Sequence, residues 1–301
     1  MSSGRSHTDA LDHVTDRRMI ERDSWFTRLL PHAVLLIGVA IIAFPVYLCF
    51  VGSTHPQTLI ANGQMPPWPG ELFFKTYYQT LFVGTSGTTR QPVAQMLMNS
   101  FWMAMVIALG KIAISILSAY AVVYFKFPFR MAAFWLIFMT LMLPVEVRIY
   151  PTYKIVADLN LLDSFAGLTV PLIASATATL FFRQFFMTIP DELIEASKLD
   201  GAGPVKFFID TVLPLSRTNI AALFVILFIY GWNQYLWPLL ITTRDDMQTV
   251  VIGIKKMIVT ADALTEWNVV LATAMLAMLP PVAVVVLMQR WFVRGLVETE
   301  K

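Results

Sequence analysis

Five polar side chains stand out inside runs that are mostly apolar: Lys111, Glu146, Arg148, Asn233 and Gln234. An ionisable group near the centre of a membrane span costs roughly 2.5–3.5 kcal/mol on insertion scales, so it needs a partner or water. Charges and amides at one depth can line a wet passage for a polar solute, and a guanidinium such as Arg148 can draw an anion into it. They can equally close a structural network, with Glu146 pairing Arg148 and Lys111 paired inside the protein or snorkelling along its stem. Lys111 is followed by Ser115 and Ser118 at i+4 and i+7, which lie on one helical face, and that face is expected to point into the bundle.

Covalent chemistry has no comparable set of residues. "LGKIAIS" at 109–115 contains Gly-Lys, but it lacks the upstream glycine of a phosphate loop and the Ser or Thr directly after Lys111. No nucleophile elbow, H-E-x-x-H pair or facing carboxylates stand out. His7, His13, His32 and His55 are not at metal-ligand spacing. Cys49 is alone, so it forms no internal disulfide and is read as a small packed hydrophobe. The expectation is a chain with no catalytic residue, no metal and no bound cofactor of its own.

The elements that must hold the five polar residues follow from composition. Of 301 residues 57% are apolar and 14% charged, against about 25% charged in an ordinary soluble domain. A span needs ~20 apolar residues, and six runs qualify: about 29–51, 97–125, 132–150, 166–187, 219–242 and 268–289. None alternates with period two, so helices are expected rather than barrel strands. The fold class is therefore all-α integral membrane, organised as a tail over 1–28, a six-helix domain over 29–291 and a second tail over 292–301. Counting ~1.5 Å per residue from starts near Ala132 and Asn219 puts Glu146 and Asn233 at the same height, about 20 Å along.

Lys and Arg set the orientation. They crowd the first tail, the 2–3 and 4–5 connections and the C-terminus, which places both termini in the cytoplasm. A cleaved signal peptide is set aside, because the preceding tail is long and no A-x-A-like site follows the first run. The net charge of +2 is spread over membrane flanks and implies no nucleic-acid partner. Outside, 52–95 carries the turn formers "MPPWPG" and "GTSGTT", with short helices expected in "TLIANG" and "ELFFKTYYQTLF". Trp68, Tyr77, Tyr78, Tyr150, Tyr153, Trp237 and Trp267 are read as an interfacial aromatic belt.

One polar insert, "DELIEASKLDGAGPVKFFIDTVLPL", interrupts the apolar runs on the cytoplasmic side, within 188–218. Thr188 is expected to cap a helix with Pro190 in its first turn and Asp191 at N3. Gly201 suits a C′ position of positive φ. A second helix opens at Pro204, with Val205, Phe208, Ile209 and Val212 on one face, and closes at Pro214. Small residues keep the corner slim, as a rigid elbow entering a groove on another protein would require.

This insert resembles the EAA loop of binding-protein-dependent ABC importers, of the form E-A-A-x-x-D-G-A…I-x-L-P. Glu195, Ala196, Asp200, Gly201, Ala202, Leu213 and Pro214 match, while Ser197 replaces the second Ala and Thr211 stands where Ile is usual. From about residue 25 onward the chain looks like six-span permeases of the maltose type. "TLMLPVEVRIYPTY", "GLTVPLIASATATLFFRQFFMTIPDEL", "FIYGWNQYLWPLLIT" and "QRWFVRGLVETEK" resemble the glycerol-3-phosphate branch of that family.

The resemblance implies a subunit of an ATP-driven importer in the bacterial inner membrane. Its partners would be a sister permease, two ATPase subunits that use ATP and Mg, and a periplasmic solute-binding protein. The elbow would sit in the ATPase groove, with Glu195 meeting a cation there. Thr249, Gly253 and Trp267 would face the binding protein. The implied solute is sn-glycerol-3-phosphate, with glycerophosphodiesters beside it; the alternative is a neutral sugar or polyol. A secondary transporter, an assembly scaffold and a membrane enzyme are rival classes: the first gives the elbow no task, reconstitution with the other subunits separates the second, and the third lacks a catalytic constellation.

Overall fold

The computed structural model describes residues 25–84, 91–140, 142–258 and 265–297. The expectations for residues 1–24, most of the "GTSGTT" turn and the last four residues lie outside the described residues. Every described element is helical. They are α1 (Trp25–Ser53), α2 (Gln57–Ala61), α3 (Phe73–Tyr78), α4 (Val93–Tyr124), α5 (Arg130–Met139), α6 (Val145–Asp158), α7 (Phe165–Thr169) and α8 (Ala176–Phe186). Then follow α9 (Asp191–Leu199), α10 (Pro204–Phe207), α11 (Arg217–Trp232), α12 (Leu236–Ile241), α13 (Val250–Ile258) and α14 (Trp267–Val297).

Only α1, α4 and α14 are both long and apolar enough to cross a membrane as single helices among the described residues. Two bent pairs would raise the number to at most five if each were one span: α7 with its 3-10 extension joined to α8 at 45°, and α10 with its extension joined to α11 at 70°. The run expected as one span over 132–150, kinked at Pro144, is broken outright into two helices, α5 and α6. They part before Pro144, whose ring disfavours helical backbone in the residue before it. The run 219–242 is also split, because α11 ends at Trp232 and α12 begins at Leu236.

α4 is the central post and packs against both α8 and α11; α11 packs on α14, and α14 on α1. The approach of α4 to α11 depends on Gly231, where a Cβ would meet the Ala104 backbone at 2.9 Å. The core between these helices is built from Ala104, Ala108, Phe182, Phe186, Phe228 and Trp232, among others. α1 meets little besides α14 and leaves Leu35, Leu36, Ile41 and Ile42 exposed, as a lipid-facing helix does.

α14 runs unbroken through Pro280 and Pro281. A proline frees the carbonyl four residues earlier. The carbonyl that Pro281 frees is that of Ala277, and the Trp232 indole N–H donates to it at 3.1 Å. A backbone group that would be unsatisfied in lipid is thus paired by the neighbouring helix.

Outside the bundle, Asp163 clasps two connections together. Its carboxylate accepts from the Thr243 N–H at 2.6 Å, the Thr243 hydroxyl at 2.6 Å and the Arg244 N–H at 3.0 Å. Its own N–H donates to the Ile241 carbonyl. The two short helices expected in the 52–95 region are present as α2 and α3, the latter continuing into a π turn over Gln79–Val83.

Candidate functional site

The polar insert folds as an elbow. Its first helix starts at Asp191, not Ile189, and Thr188 does not cap it. The Thr188 hydroxyl donates back to the Phe185 carbonyl at 2.7 Å, closing α8 instead. Pro190 is the N-cap residue in extended conformation, since a residue before proline resists helical backbone and moves the start past it. Asp191 and Glu192 fill the first turn and Lys198 the last, matching the helix dipole.

The end of α9 is a complete Schellman closure. The Gly201 N–H donates to the Lys198 carbonyl at 3.0 Å and the Ala202 N–H to the Ser197 carbonyl at 2.9 Å. Gly201 has φ +71°, a conformation that side chains resist. The chain then turns at Gly203 into α10, with Pro204 in its first turn.

α10 continues as a π turn, Phe208–Val212, and a last helical turn, Leu213–Leu215. Pro214 does not close the element as expected. It withdraws one N–H, and the Leu213 N–H reaches back five residues to the Phe208 carbonyl. The buried face differs from the expected one. Phe207 and Val212 are buried, while Val205 is 71% and Ile209 53% exposed. Leu199 at the tip is 89% exposed. The elbow therefore shows an outward surface that mixes Leu199, Val205 and Ile209 with the exposed Glu195, Ala196 and Asp200.

Its inner side is fixed by the end of α4, a connection that the spacing did not reveal. The Tyr120 hydroxyl donates to the Pro204 carbonyl at 2.7 Å and the Tyr124 hydroxyl to the Phe186 carbonyl at 3.3 Å. Tyr120 lies 4.9 Å from Phe208 and Tyr124 5.4 Å from Phe207, centroid to centroid. Elbow, α4 and α8 thus form one aromatic joint.

The second set of residues lies at the helix breaks. Lys111 is buried, 6% exposed, with its ammonium 3.7 Å from the Tyr230 ring centroid. Ser115 is buried on the same face and donates to the Ser175 carbonyl at the α7–α8 break. Arg148 is exposed in the first turns of α6. Asn233 is exposed just past α11, and Gln234 donates to the Tyr230 carbonyl at 3.1 Å. Glu146 stands in α6, but its side chain lies outside the described residues.

Two further expectations change. Thr249 is 2% exposed and a Cβ at Gly253 would collide with the Met96 sulfur, so both pack α13 onto α4 and offer no free face. Trp237 is buried rather than interfacial, its indole N–H donating to the Gly167 carbonyl at 3.1 Å.

A chain of packed and broken membrane helices carrying an outward, capped elbow defines a membrane component of a transport system. Residues 111–298 match the family described as binding-protein-dependent transport system inner membrane component, and the chain belongs to that family. It is thus a multi-pass inner-membrane permease component and not an enzyme.

Its relatives narrow this further. It is 57% identical over 94% of its length to the sn-glycerol-3-phosphate transport system permease protein UgpE of Rhizobium meliloti (strain 1021), covering 100% of that protein. Identity to the protein of that name from Escherichia coli O157:H7 is 55%, with 94% and 100% covered. The fold matches a bacterial ABC transporter involved in the import of the acidic polysaccharide alginate, at a TM-score of 0.75 and 18% identity over 97% of this chain and 100% of that one.

Proposed function

We propose that this chain is one of two sister permeases in an ATP-driven importer of sn-glycerol-3-phosphate, with glycerophosphodiesters as further solutes. The observation that carries the reading is the elbow: a Schellman-closed corner with an exposed apolar tip, held to α4 and α8 by the Tyr120–Tyr124 joint. The identity to glycerol-3-phosphate permeases over nearly the whole chain supports the solute.

In this reading the elbow seats in a groove of a partner ATPase on the cytoplasmic side. Glu195 meets a cation, Ala196, Ser197 and Ala202 keep the corner thin, Asp200 and Gly201 make the turn, and Leu213 and Pro214 pass the movement into α11. Two ATPase subunits supply the energy, and a periplasmic binding protein delivers the solute. The chain crosses six times, with α5–α6, α7–α8 and α11–α12 as broken crossings. Breaks of this kind place polar backbone and side chains at a solute path, and Lys111, Glu146, Arg148, Asn233 and Gln234 lie at or beside them.

The test is Glu195→Lys in the complete complex. Uptake of labelled glycerol-3-phosphate is expected to fall to background, and the ATPase to be lost on purification, with the permease still in the membrane. Full uptake with the ATPase retained would refute the elbow's role. Uptake of maltose but not glycerol-3-phosphate by the wild type would refute the solute.

A further inference from the structure

A cavity of about 550 Å³ lies between α4, α11 and α14. That volume is within the ~300–1,000 Å³ of ligand pockets. Ile112 of α4, Ile220 and Phe224 of α11 and Met288 of α14 are part of its apolar wall. Leu109 and Trp291 also line it, and both are exposed, so the cavity opens at the surface of the bundle. Apart from the Trp291 indole, its polar side chains are Arg217 and Thr218.

These polar groups mark one end of the cavity. Arg217 is the first residue of α11 and directly follows the elbow, whereas Phe224 lies about 10 Å further along the helix. The wall thus runs from the level of the elbow into the apolar layer. Arg217 is exposed and makes no ion pair or hydrogen bond among the described residues. Trp291 closes the same end from α14, and its amphipathic ring suits the membrane–water interface.

Water finds too few partners on such a wall to fill it, and an empty cavity forgoes the dispersion contacts of its lining. An acyl chain supplies them. The cytoplasmic leaflet is negatively charged, and basic pockets between membrane helices on that side hold anionic headgroups. A protein helix would match the wall, but an unpaired cation at headgroup depth matches a lipid, whose charge sits at that depth.

We propose that this cavity binds one anionic phospholipid of the cytoplasmic leaflet, with an acyl chain along α4, α11 and α14 and the headgroup phosphate on Arg217. The proposal goes beyond the importer reading and takes from it only the side of the membrane on which the elbow lies. Leu213, just before the 70° bend into α11, lines the cavity as well. The lipid therefore touches both arms of the bend that joins the elbow to α11, and its binding depends on the angle of that bend.

The test uses the whole complex, reconstituted in vesicles of phosphatidylethanolamine and phosphatidylglycerol and then extracted for native mass spectrometry. The wild type is expected to retain one phosphatidylglycerol per chain. Arg217→Gln should lower the preference for phosphatidylglycerol over phosphatidylethanolamine about fivefold, the scale of one basic residue at an anionic surface. Arg217→Lys should keep most of it, and Lys126→Gln, a change at an exposed cation away from the cavity, all of it. Ala221→Phe fills the cavity from its wall and should abolish retention of both lipids. A photoreactive phenylalanine analogue at Met288 should form its adduct with lipid. Unchanged preference in Arg217→Gln would overturn the headgroup contact, and unchanged retention in Ala221→Phe the cavity. An adduct at Met288 with another subunit in place of lipid would overturn the proposal as a whole. Retention is read without solute or ATP, so a failure of glycerol-3-phosphate uptake would count against the importer reading alone.

Discussion

Gly201 and Gly203 differ by two positions and by opposite backbone demands. Gly201 has φ +71°, whereas Gly203 sits at φ −73° with open space where a Cβ would go. A left-handed residue with a side chain costs roughly 1–2 kcal/mol. Gly201→Ala should therefore loosen the elbow and weaken ATPase association in a pull-down, and Gly203→Ala should leave both unchanged. Asp163 is a second residue-scale case. The Thr243 hydroxyl, then the Arg244 and Thr243 amides, hold its carboxyl below the usual carboxylate range. Because the folded value is depressed, the clasp stabilises the protein at pH above the ordinary carboxylate pKa. That contribution disappears as pH falls through the folded value. Asp163→Asn should lower the thermal midpoint at pH 7, and the gap from wild type should close at strongly acid pH. Gly201 could be read from the D-G-A spacing. Asp163 could not, since its partners lie some eighty positions away.

At the scale of elements, the joint between α4 and the elbow decides how a push at the tip reaches the bundle. Tyr120 and Tyr124 are one helical turn apart at the end of α4 and meet Phe207, Phe208 and Phe186. Aromatic pairs of this kind add about 0.5–1.5 kcal/mol beyond their buried area. Replacing both with leucine should leave the ATPase bound and hydrolysing while uptake drops several-fold, measured as solute moved per ATP consumed. The elbow's two helices were legible from Pro190, Gly201 and Pro204. The face it packs with was not, because Phe207 takes the buried place while Val205 and Ile209 stay exposed, and the π turn over Phe208–Val212 breaks the period after it. A helical wheel assumes an unbroken 3.6 period and fails at such a turn.

For the whole molecule, the excess of Lys and Arg on one set of connections predicts sidedness. Single cysteines placed at exposed Lys198 and exposed Lys255, after Cys49 is removed, should react with impermeant maleimide from opposite sides of the membrane. Labelling of both from the same side would contradict a six-span path. Composition and run length were sufficient to show that this is a helical membrane protein with a polar elbow, because lipid admits only helices with internally paired backbones or closed barrels. Pro144 signalled a kink in the third run, but the breaks at Ile173–Ser175 and Asn233–Tyr235 were not readable, since apolar residues on both sides of a break look like one span. The sequence alone determined the elbow motif, the apolar runs and the absence of a phosphate loop, all of which depend on local spacing. Only the tertiary structure decided that Lys111 lies over Tyr230, that Trp232 satisfies the carbonyl freed by Pro281, and that Thr249, Gly253 and Trp237 are packing residues. Those contacts join positions far apart in the chain, and they exist only once α4, α11 and α14 have closed on one another.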